Sequence, residues 1–162
     1  MSWFNRRQVI LSAIALGGCG FTPVYQNNAP TRAFLSGIAL ETPSDRDDYV
    51  MNRRLEERLG AANDAKYGLT YSISQSSSRA AISTDGRANR EVTQGQVTYS
   101  LRRLSDGKVM KSGKEEAFVG SSTTGSTVAT HAAERDAKER LVIQLADRII
   151  DALLLITPEE LV

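Results

Sequence analysis

The feature that most constrains the fold is a long apolar stripe near the C-terminus. Apolar residues recur every fourth position, and a second row widens the same face: Ala133, Ala137, Leu141, Leu145, Ile149 and Leu153, with Val142, Ala146, Ile150 and Ile156. This spacing predicts one amphipathic helix of about 28 residues, which follows the polar run 120–127 and ends before Pro158. At ~1.5 Å per residue the helix is roughly 42 Å long, enough to cross a whole sheet.

Strand patterns occupy the middle of the chain. Strict alternation over residues 67–74 predicts a half-buried strand, and alternation returns over 97–101. The Asp-Gly turn within residues 105–108 predicts a hairpin to a strand over 109–119. The Ser-rich stretch 75–90 fits either a long mobile loop or a pair of extended arms. The residues expected on the covered face are Tyr67, Leu69, Tyr71, Ile73, Val97, Tyr99 and Leu101.

The sequence of the first part of the domain predicts a strand followed by a helix. Residues 31–40 read as a strand, with Phe34, Ile38 and Leu40 facing inward. Residues 45–59 read as a helix that Ser44 or Asp45 caps and that Gly60 ends, with Met51, Leu55 and Leu59 at four-residue spacing. The order strand, helix, three strands, helix predicts an α+β fold: two helices packed on one face of a four-stranded, mostly antiparallel sheet.

The N-terminus has the layout of an export signal. Arg6 and Arg7 precede an apolar run from Val9 to Leu16, which is far shorter than the roughly 20 residues of a membrane-spanning helix. An N-terminal helix packed on the domain is the alternative, but the segment 20–23, Gly-Phe-Thr-Pro, would break it. The Arg pair leaves the twin-arginine route open beside the favoured secretory route.

The run Leu16-Gly17-Gly18-Cys19 resembles a bacterial lipobox, in which the cysteine thiol is acylated after cleavage before it. The alternative, a buried free thiol, would place Cys19 inside a fold that it precedes. Gly20, rather than Asp, favours sorting to the outer membrane. We therefore expect residues 1–18 to be a removed lipoprotein signal peptide, 19–30 a lipid-anchored tether, and 31–162 a single domain.

Composition excludes several classes of site. One Cys and one His in 162 residues supply neither a disulfide nor the ligands of a structural zinc site. The His, His131, is interpreted as a helix-surface or capping residue rather than a catalytic base, because no nucleophile or acid partner lies near it in the pattern. We predict that the chain is not an enzyme and holds no metal and no cofactor.

Charge is unevenly distributed although the formal net charge is +1. Residues 66–114 carry nine basic and three acidic residues, whereas 115–162 carry four basic and nine acidic. An ordinary charged surface with protected strand edges is one interpretation, and an anionic partner such as a phosphorylated glycolipid is the other. Export argues against nucleic acid. The candidate lipopolysaccharide-binding residues are Arg79, Arg87, Arg90, Arg102, Lys108 and Lys111.

Together these motifs resemble the LptE family of lipopolysaccharide-assembly lipoproteins. The start Cys19 to Tyr25 is similar to the family's Cys-Gly-Phe-x-Pro-Leu-Tyr, with Val24 in place of Leu. The segment 132–137 is similar to the family's Ala-rich final helix, although Val128 stands where relatives often carry an aromatic residue.

The resemblance implies residence as a plug inside the outer-membrane barrel LptD, help in assembling that barrel, and contact with lipopolysaccharide. It therefore implies a lipid-anchored protein of the outer membrane, facing the periplasm or lying within the barrel lumen. The alternative function is that of an auxiliary lipoprotein in another envelope lipid-transport system.

Overall fold

The computed structural model describes residues 33–62, 64–82, 88–122 and 126–156. It contains two long helices and four strands, preceded by a helical turn at 33–35. In chain order these are β1 (Ile38–Leu40), α1 (Arg46–Leu59), β2 (Tyr67–Ile82), β3 (Ala88–Arg103), β4 (Val109–Ser122) and α2 (Thr127–Leu154).

The strands form one sheet in the order β1-β2-β3-β4. β1 pairs parallel to β2, and the other two pairings are antiparallel. Both helices pack on one face of this sheet, where buried Leu69, Val97 and Leu101 meet the apolar stripe of α2. The predicted α+β architecture is confirmed.

The strand predicted over 31–40 is correct only at its end. Gly37 N–H donates to the Phe34 carbonyl at 3.1 Å, which closes a helical turn, so β1 begins at Ile38. The inward direction is nevertheless confirmed, because Phe34 and Ile38 are buried and Leu40 packs against the core.

Residues 75–90 form extended arms in every part that the structure describes. β2 continues to Ile82 and β3 starts at Ala88, so the two strands pair well beyond the predicted segments. β4 likewise continues past Val119 to Ser122. Serine-rich sequence does not end these strands because each backbone finds a neighbour to pair with, and pairing overrides the weak strand propensity of Ser.

Helix α1 begins as the sequence predicts. Asp45 is the N-cap and accepts a hydrogen bond from the Asp48 N–H at 2.9 Å. Asp48 in turn accepts from both the N–H and the hydroxyl of Ser44. Gly60, with φ +88°, ends the helix in a conformation that favours glycine.

Two polar contacts lock α1 to its neighbours. Arg54 forms a two-pronged ion pair with Asp147 of α2, with distances of 2.9 and 3.1 Å. The buried side chain of Asn52 donates to the Glu41 carbonyl at 2.7 Å and accepts from the Tyr71 hydroxyl at 2.7 Å. These contacts fix α1 against both α2 and β2.

Helix α2 contributes the largest set of buried side chains among the elements of the core. Eight of its side chains are buried, all between Ala137 and Leu153. The helix lies so close to β3 that a Cβ on Gly95 would stand 2.7 Å from Leu141 Cδ2. Its first turns, in contrast, have exposed or half-buried side chains up to residue 136.

Candidate functional site

The sheet face opposite the helices is a broad polar surface. Because side chains alternate along a strand, every second residue of β2, β3 and β4 points away from the helices. Hydroxyl and amide side chains dominate it: Thr70, Ser72, Ser74, Ser76 and Ser78 of β2, Gln94, Gln96, Thr98 and Ser100 of β3, and Ser112 and Ser122 of β4.

This open face can donate and accept hydrogen bonds without presenting a strong net charge in its middle. Its central ionic side chains, Lys114 and Glu116, pair with one another at 3.1 Å. One aromatic residue, Phe118, is 74% exposed. Such a surface suits a polar partner better than an apolar one, because covering it with hydrocarbon would leave its hydroxyl groups without partners.

Two of the basic candidates, Arg79 and Arg90, belong to the distal end of the sheet, where β2 ends and β3 begins. Arg79 lies opposite Glu91 in the strand register, and Arg90 lies opposite Ser122. The Arg90 side chain is exposed on the open face, close to Gly120. Arg87 lies outside the described residues.

The other three candidates belong to the proximal end, at the turn between β3 and β4. Arg102 is exposed on the open face, and Lys108 is exposed in the turn. Lys111 lies opposite Leu101, which is buried beneath the helices, so Lys111 is on the covered side of the sheet rather than the open one.

The basic candidates that the structure describes do not form one cluster on the open face. Arg90 and Arg102 are both in β3 and are separated by about 40 Å along the strand, at ~3.3 Å per residue. The basic residues belong to one basic segment of the sequence, but they do not lie together in space. Basic side chains stand at both ends of the long strands, whereas Ser, Thr and Gln side chains occupy the middle. No single ligand phosphate can reach both ends.

The proximal turn is held by a local hydrogen-bond network. Asp106 accepts from the Lys108 N–H at 3.0 Å and from the Arg103 guanidinium at 3.2 Å. The Lys108 N–H bond and the nearby Arg103 charge lower the pKa of the Asp106 carboxyl. Gly107, with φ +71°, permits the tight reversal.

The sequence did not predict the apolar side chains exposed at the proximal end. Leu104 is 56% exposed and Val109 is 45% exposed. A signal was present in the sequence, since Leu104 is an apolar residue directly before a turn and Val109 directly follows it. Turn chemistry locates the turn but does not determine which of the flanking side chains are exposed.

His131 lies on the surface of α2, which confirms the predicted helix-surface position. Its Nδ1 is 3.1 Å from a carboxylate oxygen of Glu134, three residues later in the same helix. Across residues 33–62, 64–82, 88–122 and 126–156 there is no group of three His, Cys, Asp or Glu side chains placed to hold a metal. Among these residues, no helix is long and apolar enough to cross a bilayer. Cys19 lies outside them.

The comparisons with known proteins agree with this architecture. The family model for LptE, described as lipopolysaccharide-assembly, matches residues 35–153. A crystal structure of a putative lipoprotein from Caulobacter crescentus CB15 superposes with a TM-score of 0.64 at 22% identity, over 78% of this chain and 94% of that one. No curated protein matches the chain in sequence.

Two further crystal structures have the same fold. The rare lipoprotein B of Shewanella oneidensis gives a TM-score of 0.56 at 16% identity, covering 72% of this chain and 91% of that one. A minor lipoprotein of Acinetobacter baumannii gives a TM-score of 0.50 at 13% identity, covering 72% and 87%. At such identities these likenesses concern the fold alone.

Proposed function

Because the chain belongs to the LptE family of lipopolysaccharide-assembly lipoproteins, we propose that it is an outer-membrane lipoprotein that acts as plug and assembly partner of an LptD-type barrel. In this proposal Cys19 carries the lipid anchor. The domain stands within or beneath the barrel and meets lipopolysaccharide on its way to the outer leaflet. No step of this function needs a catalytic residue, a metal or a cofactor.

The match over residues 35–153 carries the proposal. The open face supports it, since the lumen of an outer-membrane barrel is polar and a plug must offer that wall hydrogen-bonding groups rather than apolar ones. The rows of Ser, Thr and Gln on β2 and β3 have this character.

The proposal places lipopolysaccharide contact at the distal end. The described chain begins at the proximal end, where the Gly37 carbonyl accepts hydrogen bonds from Lys66 and Tyr67. In this proposal the lipid anchor at Cys19 lies in the inner leaflet and the proximal end of the domain faces that leaflet. The sheet extends about 40 Å from Arg102 to Arg90, which is comparable with the ~30 Å hydrocarbon core plus its headgroups. Arg79, Arg87 and Arg90 would then lie towards the outer leaflet, where Arg side chains suit glycolipid phosphates.

Affinity purification from solubilised envelopes tests the proposal. The tagged full-length protein should recover a large barrel protein in about equal amount, identified by mass spectrometry. Introducing two carboxylates in the middle of the open face, with Ser74→Glu and Thr98→Glu, should reduce the recovered barrel because they would be buried against its wall.

The matched control carries two carboxylates on the exposed surface of α2, with Ala132→Glu and Gln144→Glu, and should recover the barrel as wild type does. Recovery of the wild-type protein without any barrel would exclude the plug function. Recovery of a periplasmic lipid-transport complex in place of a barrel would favour the auxiliary-lipoprotein alternative.

A further inference from the structure

Exposed apolar and basic side chains adjoin at the proximal end of the open face. Gly68 of β2, Arg102 of β3 and Val109 of β4 lie opposite one another in a row across the three strands. Leu104 lies over Gly68, with its Cδ2 only 3.2 Å from the place that a Cβ would take. Leu104 and Val109 thus flank Arg102 on one surface, which we call the proximal patch.

Cations surround the two apolar side chains. Lys66 precedes the strand that carries Gly68, and its carbonyl accepts from the Leu104 N–H at 2.9 Å. Lys108 directly precedes Val109. Within the part of the chain that the structure describes, Lys66, Arg102 and Lys108 form no ion pair, whereas Asp106 is engaged by Arg103.

The charge of the surrounding segments is positive. Residues 64–68 and 102–109 carry four basic side chains, Lys66, Arg102, Arg103 and Lys108, against Asp64 and Asp106. The groove between the segments, of about 460 Å³, has the same mixed character, being lined by Ala65, Lys66, Tyr67, Arg103, Leu104 and Ser105. Exposed aliphatic side chains ringed by cations suit the boundary between acyl chains and anionic headgroups.

The position of the patch also fits a bilayer. Residue 33, with which the described chain begins, directly precedes Phe34, whose ring packs edge-on against Tyr67 at 5.1 Å. From there the chain back to Cys19 reaches at most about 50 Å. A membrane anchor at residue 19 would therefore keep this end of the sheet within about 50 Å of the bilayer.

We propose that the proximal patch docks on an anionic phospholipid surface, with Leu104 and Val109 at the headgroup boundary and Lys66, Arg102 and Lys108 on the lipid phosphates. The location of that surface in the cell rests on the proposed anchoring at Cys19. The docking itself does not, because it uses only side chains of the folded domain.

Vesicle flotation of the unacylated chain, residues 20–162, tests the docking without the anchor. This chain keeps every residue of the described core, which lies within Phe34–Ile156. It should float with vesicles of phosphatidylglycerol and phosphatidylcholine, and not with phosphatidylcholine alone. Binding should weaken as ionic strength approaches about 0.15 M, where screening is strong.

Substitutions in the patch should lower the partition coefficient for the anionic vesicles. Arg102→Gln and Lys108→Gln should each reduce it about fivefold, at roughly 1 kcal/mol per charge near such a surface. Leu104→Ser with Val109→Ser should reduce it by about tenfold or more. Both sets change exposed side chains, and urea unfolding verifies that the fold persists.

The matched controls are Phe118→Ser and Lys114→Gln, which remove an exposed apolar residue and a cation from the same open face. Phe118 is about 30 Å from Val109 along β4 and should not affect flotation. Three results would each overturn the docking. They are equal binding to both kinds of vesicle, a loss of binding in the control variants as large as in the patch variants, and no flotation of the unsubstituted chain. None of these results affects the recovery of a barrel protein in affinity purification, so the membrane docking and the plug function can be tested independently.

Discussion

The ring of Tyr99 lies directly over Gly113 of the neighbouring strand. Tyr99 and Gly113 are opposite one another in the β3–β4 register, and the Tyr99 hydroxyl oxygen is 2.6 Å from the place that a Cβ on Gly113 would occupy. The aromatic side chain, only 3% exposed, therefore fills the space that a side chain at position 113 would take. This contact explains a glycine that blurs the strand pattern in the sequence.

Gly113→Ala should destabilise the domain by about 1–3 kcal/mol, because the Cβ forces the buried Tyr99 ring out of its position. Urea unfolding followed by circular dichroism measures the change. Gly120→Ala on the same strand is the control, since its Cβ would meet nothing closer than Arg90 Nε at 3.6 Å. Equal losses of unfolding free energy in the two variants would mean that the cost comes from the backbone flexibility of glycine and not from the Tyr99 ring.

Gly95→Ala should displace α2 from β3 and cost a similar ~1–3 kcal/mol, because its Cβ would lie 2.7 Å from Leu141 Cδ2. Leu141→Ala alone should cost about 2–5 kcal/mol through the cavity it leaves. Combined, the two should cost less than the sum of the single changes, since the shortened side chain makes room for the new methyl group. Additive losses in urea unfolding would contradict the close approach.

The unfolding free energy should fall above about pH 10 more steeply in wild type than in Tyr71→Phe. Burial, together with Asp48, Asp45 and Glu41, raises the pKa of the Tyr71 phenol above its ordinary value. A raised pKa in the folded state means that the stabilisation is complete below the unfolded-state pKa and is lost as pH rises through the window above it.

The measurement is urea unfolding at several pH values between neutral and alkaline conditions. Burial also raises the pKa of Tyr99, which Tyr71→Phe leaves in place, so some alkaline loss should remain in the variant. Removing the hydroxyl should itself cost about 0.5–1.5 kcal/mol at neutral pH, since Asn52 loses a hydrogen-bond donor. Parallel pH curves for both proteins would show that the phenol of Tyr71 ionises as in water.

Lipopolysaccharide binding should respond more strongly to charge at the distal end of the sheet than at the proximal end. Arg87→Gln with Arg90→Gln should weaken binding to immobilised lipopolysaccharide, and more so at low salt, because screening is then small. Arg102→Gln with Lys108→Gln is the matched pair at the proximal end and should weaken that binding less than the distal pair does. A greater loss from the proximal pair would move the glycolipid contact to the other end of the sheet.

The local patterns were sufficient for most of the elements. The Asp45 cap, the Gly60 stop and the four-residue stripe of α2 each depend on residues close together in the chain, so the sequence alone locates both helices. The hairpin turn at Asp106-Gly107 and the alternation from Val97 to Leu101 are equally local. The sequence also determined the lipobox-like segment at Cys19, which stays a prediction.

Tertiary structure decided what no short window contains. The Ser-rich part of β2 is a strand because β3 lies beside it and pairs with it. The need for glycine at positions 95 and 113 follows from the close approach of Leu141 and Tyr99, which only the folded structure shows. The basic residues lie at two separate ends of the sheet because β3 continues unbroken from Ala88 to Arg103, which keeps Arg90 and Arg102 about 40 Å apart. Composition records how much charge a segment carries, but distance in space depends on which strands pair and in which register.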